Sequence, residues 1–211
     1  MWKAHGIRRG VGIKRARLLV DIAKTSIGLS TGLQMARQEI RFLLSQYDLI
    51  ESQLDELMGQ IEEFMRNVPG AQQMLSIPSI GLITVAGFIA ETGDLSQYTS
   101  WQRLRKLAGL NLEENSSGKH KGQTKISKRG RSRLWALLYN CVFLLVANNS
   151  QFRALHQYFK TRVDHPLKPK QSLVALCGKL IRILFTLGTR KVDYDAARAL
   201  GPVHQDLLNV A

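Results

Sequence analysis

Cysteine, histidine and acidic residues are scarce in this sequence, and each scarcity excludes a class of protein. The 211 residues include only two cysteines, Cys141 and Cys177, which lie far apart and form no CxxC pair. We therefore expect buried free thiols in a reducing cytoplasm, not a disulfide framework. The five histidines are scattered, so their spacing assembles no zinc site.

A signal peptide and long apolar runs are also missing. The first residues, MWKAHGIRRGVGIKRARLL, are basic and lack the apolar centre of a signal peptide. The longest apolar stretch, residues 134–147, is interrupted by Asn140 and is shorter than the ~20 residues that a spanning helix requires. We expect this stretch to be a core helix and the protein to have no membrane partner.

Acids are outnumbered, and the imbalance is unevenly distributed. The chain has 30 Lys and Arg against 16 Asp and Glu, a formal net charge of +14. Residues 1–37 hold eight basic residues and one acid, residues 38–68 hold two and seven, and residues 119–211 hold seventeen and four. Two basic regions flanking an acidic one favour contact with a phosphate backbone. A ribosome-like or simply soluble basic protein is the alternative.

Apolar residues in residues 40–68 recur at steps of three and four, which predicts a heptad seam. The seam covers about four heptads, roughly 45 Å of helix at 1.5 Å per residue. Its two rows are Ile40, Tyr47, Leu54, Ile61 and Val68, and Leu43, Ile50, Leu57 and Phe64. A second copy or an antiparallel helix of the same chain would pair with it, and a helix packed on its own domain is the alternative. Pro69-Gly70 is expected to end the helix.

The remaining pattern is helical throughout, and the predicted fold class is all-α. Beyond residue 70 the predicted helices cover residues 71–77, 82–92, 100–108, 128–147, 152–162 and 170–187. We divide the chain into a basic helical segment (1–37), a coiled-coil helix (38–69), a helical domain (70–189) and a tail (190–211).

Residues 71–92 read as a helix-hairpin-helix, a motif that binds nucleic acid by backbone shape. Gly81 is expected to let the chain turn, and the amides that follow would face a phosphate. The common form has glycine where this chain has Ser79. The predicted contacts are Ser79, Gly81 and Thr84. An ordinary helical corner within a core is the alternative.

The segment from residue 111 to 133 is the strongest candidate for chemistry. Ser116 and Ser117 precede a run of cations without one acid: Lys119, Lys121, Lys125, Lys128, Arg129, Arg131 and Arg133. Chemistry on phosphate needs a nucleophile and positive charge, although serines in such turns are usually structural. Ser127 reads as the N-cap of a helix beginning at Lys128 and buried through Trp135 and Tyr139.

Four blocks in this order resemble the C-terminal domain of the IS110/IS116/IS902 family of insertion-sequence transposases. They are GIRRGVGIKRARLL, IPSIGLITVAGFIAETGDL with LRKLAGL, SSGKHKGQTKISKRGRSRLWALLY, and KPKQSLVALCGKLIRILFTL. The resemblance covers nearly the whole chain. It makes residues 70–189 the helical transposase domain.

The resemblance implies a function and a set of partners. Ser117, with Ser116 as the fallback, is identified as the family's serine, which attacks a DNA phosphodiester. The resemblance also implies DNA, a structured guide RNA, and a RuvC-like domain with four metal-binding acids, of which this chain contains no candidate. We therefore expect no metal or cofactor in this chain, a truncated enzyme, and a bacterial, nucleoid-associated location.

Our interpretation is the DNA-binding, serine-bearing part of a transposase, paired through its coil into a homo-oligomer. A non-catalytic nucleic-acid-binding fragment, dimerised by the same coil or left by gene decay, is the alternative from another class.

Overall fold

The computed structural model describes residues 13–28, 31–113, 116, 117, 120, 121, 125–127 and 129–200. It confirms the all-α class. Its helices are α1 (Ile13–Thr25), α2 (Leu33–Arg66), α3 (Ala71–Leu75), α4 (Leu82–Thr92), α5 (Trp101–Leu107), α6 (Ser132–Asn148), α7 (Ser150–Thr161), α8 (Pro169–Arg190) and α9 (Ala196–Leu200). A 3-10 turn covers Leu95–Gln97. The chain divides into two units, Met1–Glu56 and Leu57–Ala211.

In the first unit, no described residue is buried. The part of α2 that lies here carries most of the predicted heptad rows, and their side chains are exposed: Ile40, Leu43, Tyr47, Ile50 and Leu54 are each about half accessible or more. Phe42, Leu44 and Leu49 are exposed as well, so the apolar surface is wider than the seam alone. The coiled-coil pairing stays a prediction. The helix ends at Arg66, before the expected stop at Pro69-Gly70.

The second unit is organised around α8, which has ten buried residues. This helix packs against α3, α5, α6 and α7. Apolar side chains recur on several of its faces because neighbouring helices cover it. By length and composition α8 is apolar enough to cross a membrane, but 56% of its most apolar window is buried inside the protein. The burial is that of a core helix.

The α4 and α6 helices run antiparallel across the unit. At one end the Arg131 side chain, just before α6, donates to the backbone carbonyl of Glu91 in the last turn of α4. At the other end the buried Asn149, just after α6, donates from Nδ2 to the Pro78 carbonyl over 3.2 Å. The Asn149 Oδ1 also accepts the amide hydrogens of Gln151 and Phe152 and so caps α7.

The predicted helical corner is formed by α3, the connection 76–81 and α4. Ile77 and Val85 are buried within it. Gly81, however, does not make the turn, since its φ of −99° lies in the extended region. The left-handed residue is Ser79, with φ +70°. The position that is glycine in the common motif is therefore the one that requires positive φ, and the helix-hairpin-helix assignment itself stays a prediction.

Candidate nucleic-acid site

A β-hairpin, which the sequence pattern did not predict, occupies the serine segment between α5 and α6. Strand β1 (Leu112–Glu113) pairs antiparallel with β4 (Lys125–Ile126). Strand β2 (Ser116–Ser117) pairs antiparallel with β3 (His120–Lys121). The second register sets Ser116 opposite Lys121 and Ser117 opposite His120 along the backbone. The predicted nucleophiles therefore lie in the ladder whose strands fall between β1 and β4 in the chain.

The base of the hairpin is closed by backbone hydrogen bonds. The Ser127 amide donates to the Asn111 carbonyl and the Arg131 amide to the Leu107 carbonyl, both over 2.8 Å. Gly130 packs directly against the backbone of residues 107–109. A Cβ atom on Gly130 would stand 2.3 Å from the Gly109 nitrogen and 2.5 Å from the Leu107 carbonyl oxygen. Only a residue without a side chain allows this approach.

This closure corrects the predicted start of α6. The helix begins at Ser132, not Lys128, and Ser127 is not its N-cap. Ser127 Oγ instead lies 3.4 Å from the Gly109 carbonyl oxygen and accepts from the Arg129 amide over 3.4 Å. Residues 127 and 129–131 lie outside the helix, and the Arg131 amide bonds the Leu107 carbonyl at the end of α5. Trp135, expected to be buried, is 37% exposed and stacks on Tyr139.

A cleft of about 400 Å³ opens beside the hairpin base, between α5 and the start of α6. Four of its lining residues are cations: Arg103, Lys106, Arg129 and Arg131. Leu107 and Tyr98 supply apolar surface, and the Tyr98 hydroxyl is engaged in donating to the Thr92 carbonyl over 2.7 Å. Polar recognition in the cleft therefore comes from its cations. We call this site the basic cleft.

Two features set the electrostatics of the basic cleft. Of the ion pairs among the described residues, one involves the cleft, Arg131 with Glu91 at 3.9 Å. The 17-residue helix α6 begins without a side-chain cap or an acid in its first turn. Its free amides and macrodipole add positive potential beside the cleft. Both features favour an anion at this end of α6.

The structure describes the sequence-predicted site residues to different extents. Lys119 and Lys128 lie outside the described residues, and for Lys121, Lys125, Ser116 and Ser117 the backbone alone is described. Arg129 and Arg131 line the basic cleft, and Arg133 is exposed at the second position of α6. Among the corner residues, Ser79 and Gly81 are exposed, whereas the Thr84 side chain bonds the Cys141 thiol on α6. None of these roles is tested by the geometry.

Sequence reasoning missed Arg103 and Lys106. They lie three residues apart on α5, so they share a helix face. The LRKLAGL block contains Lys106, and this cation one turn before a glycine-containing turn was the available signal. The joint cleft could not be foreseen, because the pairing of Leu107 with Arg131 brings the two segments together.

Other reactive groups are buried and do not join the site. Burial raises the pKa of Cys141 to about 11 and that of Cys177 to about 12, so both are protonated thiols at neutral pH. Ser172 Oγ lies 2.9 Å from His156 Nδ1, but Ser172 is fully buried and joins α8 to α7. Among the described residues, no group of three or more His, Cys, Asp or Glu could hold a metal ion.

Comparison with known proteins gives a match over the segment that contains this site. The sequence model of the "Transposase IS116/IS110/IS902 family" matches residues 71–157, which contain the corner, the hairpin and the cleft. The chain is 28% identical over 199 residues to the "Transposase for insertion sequence element IS1111A" of Coxiella burnetii, covering 90% of this chain and 52% of that protein.

Two further relatives match over a similar part of their own length. The "Probable family 20 transposase" of Pseudomonas aeruginosa is 28% identical over 74% of this chain and 46% of its own length. The "Insertion element IS900 uncharacterized 42 kDa protein" of Mycobacterium paratuberculosis is 24% identical over 82% of this chain and 43% of its own. The chain spans about half the length of these curated relatives.

Proposed function

We propose that this chain, whose residues 71–157 match the sequence model of the IS116/IS110/IS902 transposase family, is the DNA-binding, serine-bearing part of an insertion-sequence transposase. Ser117 is the proposed nucleophile, and Ser116 takes its place if the register is shifted by one residue. The proposal covers cleavage and rejoining of DNA through a covalent protein–DNA ester.

The closed hairpin base is the observation that carries the proposal. A nucleophile must be held in one position relative to the groups that bind the reacting phosphate. The backbone bonds of Leu107 and Asn111, together with the Gly109–Gly130 contact, tie the hairpin to two helices of the core. Cations of the same two segments line the adjacent cleft, which supports an anionic polymer as the substrate.

The proposed step is a phosphodiester exchange in which nothing is oxidised or reduced. The Ser117 oxygen forms a bond to phosphorus as the bond from phosphorus to one deoxyribose oxygen breaks. The serine proton leaves to water, and the released deoxyribose oxygen takes up a proton. The ester conserves the bond, so attack by a deoxyribose hydroxyl in the reverse step rejoins strands without ATP.

Covalent trapping on suicide DNA tests the proposal. The substrate is a nicked duplex whose short leaving strand diffuses away after attack, so that the ester accumulates and is seen as a band of reduced mobility on a denaturing gel. The chain is assayed alone and with the N-terminal half of a full-length relative supplied separately. We expect Ser117→Ala to abolish the band.

Ser116→Ala is the matched control, because it removes the same group one residue away. Loss of the band in Ser116→Ala alone would transfer the role to Ser116. A band of unchanged intensity in the Ser116→Ala/Ser117→Ala double variant would refute the serine mechanism and leave a binding fragment.

The proposed partners follow from the same family. A RuvC-like half would supply the divalent metal, and a structured RNA would pair with the DNA. A second copy of this chain would pair along α2, where Ile50 and Leu54 are each 56% exposed. Burying such rows is the usual drive for a coiled coil.

Light scattering at micromolar concentration tests the α2 pairing. The wild-type chain should have twice the monomer mass, and Ile50→Asp/Leu54→Asp should return it to the monomer. Ser45→Asp/Ser52→Asp, on the outer face of the same helix, should leave the mass unchanged. A monomeric wild-type chain would exclude the pairing.

A further inference from the structure

We infer that the basic cleft binds one backbone phosphate of a DNA strand, with Arg103, Lys106 and Arg129 as its ligands. The identity of the polymer rests on the proposed function. The site itself rests on side chains that are described and does not depend on which serine reacts.

The charges of the basic cleft favour a bound anion over pairing with acidic side chains of the protein. Arg103, Lys106 and Arg129 are all exposed, and none of the ion pairs among the described residues involves them. Arg131 differs, because Glu91 partly neutralises it and holds its side chain against α4. We therefore assign Arg131 to the wall of the cleft and the other three cations to the ligand. Three cationic residues that line one space suit a phosphate.

Apolar side chains and the start of a helix complete the cleft. The space of about 400 Å³ is bordered by Tyr98 and Leu107. The Tyr98 hydroxyl is already bound to the Thr92 carbonyl. The uncapped start of α6, beside Gly130 and Arg131, adds amide donors on one side.

The position of the cleft gives the bound phosphate a role. One wall is the end of α5, which leads into β1, and the other is the segment that follows β4. The bond from the Arg131 amide to the Leu107 carbonyl joins the two walls directly beneath the hairpin. A phosphate held here is therefore fixed relative to the hairpin, and the cleft residues position the strand without touching the reacting phosphate.

Salt dependence of DNA binding tests this assignment. The variant is Arg103→Gln/Lys106→Gln, made in a Ser117→Ala background so that no covalent product contributes. If losing these two cations releases the bound phosphate, the slope of log K against log salt becomes less steep by about 0.9. Between about 50 and 200 mM salt, the affinity of the variant should then fall about 3.5-fold less than that of its parent.

Lys170→Gln/Arg190→Gln is the matched control, because it removes the same two charges from exposed positions on α8. It should keep nearly the parental slope. Equal slopes for the cleft variant and the control would overturn the assignment, provided that both melt like the parent. A change seen with an RNA duplex but absent with DNA would also overturn it, in favour of RNA.

Lysine footprinting gives an independent reading on the unmodified chain. Bound DNA should protect Lys106 from acetylation at least severalfold more than Lys170, as measured by mass spectrometry. Equal protection would contradict the cleft. Failure of serine trapping with retained Lys106 protection would reject the proposed chemistry and keep the binding site, so the two results are separable.

Discussion

Gly130→Ala should open the base of the hairpin, because its new methyl group would meet backbone and not a flexible side chain. The Cβ would stand 2.3 Å from the Gly109 nitrogen, 2.5 Å from the Leu107 oxygen and 2.7 Å from the Gly109 Cα. Such distances require the two segments to separate. The φ of Gly130 is not in the left-handed region, so the cost is steric.

The loss of stability can be worked out from the contacts that break when the two segments separate. The Arg131–Leu107 backbone bond is lost at about 0.5–1.5 kcal/mol, and overpacking adds about 1–3 kcal/mol. We expect the free energy of unfolding to fall by about 2–4 kcal/mol, which lowers Tm by roughly 4–16 °C for a protein of this size. Calorimetry or urea unfolding measures it.

Gly178→Ala is the control for Gly130→Ala. It lies within α8, and a Cβ there would meet only the Arg105 Cδ at an ordinary 3.7 Å. This variant should be neutral or more stable by up to about 1 kcal/mol. DNA binding and serine trapping should weaken in Gly130→Ala and persist in Gly178→Ala. A Gly130→Ala chain that melts and binds like wild type would refute the closed-base account.

Two further predictions concern the corner and the α7–α8 contact. Ser79→Gly should raise the free energy of unfolding by about 0.5–1 kcal/mol. The change relieves a left-handed serine, which costs about 1–2 kcal/mol, and adds a glycine entropy cost of about 0.5–1 kcal/mol. Urea unfolding that shows no gain would contradict the strain at φ +70°. Burial, with help from Lys160, lowers the pKa of His156. The unfolded chain then binds more protons, so His156 costs stability as pH falls below about 6.5 towards its folded pKa. His156→Gln should remove that part of the pH dependence in unfolding curves, and an unchanged dependence would exclude the contribution.

The periodicity of apolar residues was sufficient to predict the helices but not the segments that connect them. The helices α4, α7 and α8 begin and end within three residues of their predicted bounds, because each has a buried face that repeats with the helical period. The strands of the hairpin are two residues long, which is too short for alternation to be visible. The start of α6 was wrong because a tertiary backbone contact at Gly130, not a cap, determines it.

The candidate site was only partly predictable for the same reason. Arg129 and Arg131 belong to a charge run that any reader of the sequence would find. Arg103 and Lys106 lie on a different helix, and only the Leu107–Arg131 backbone bond brings them to the same space. Local patterns identify groups within a segment, whereas a cleft depends on which segments pair.

The antiparallel arrangement of α4 and α6 has a consequence for the length of DNA that this unit engages. The serine hairpin stands at one end of α6, and the Ser79 corner is tied to the other through Asn149. Seventeen helical residues span about 25 Å, which equals the rise of roughly seven base pairs at 3.4 Å each. A single duplex touching both ends would carry two protected patches about seven base pairs apart, and a shorter duplex would reach only one of them.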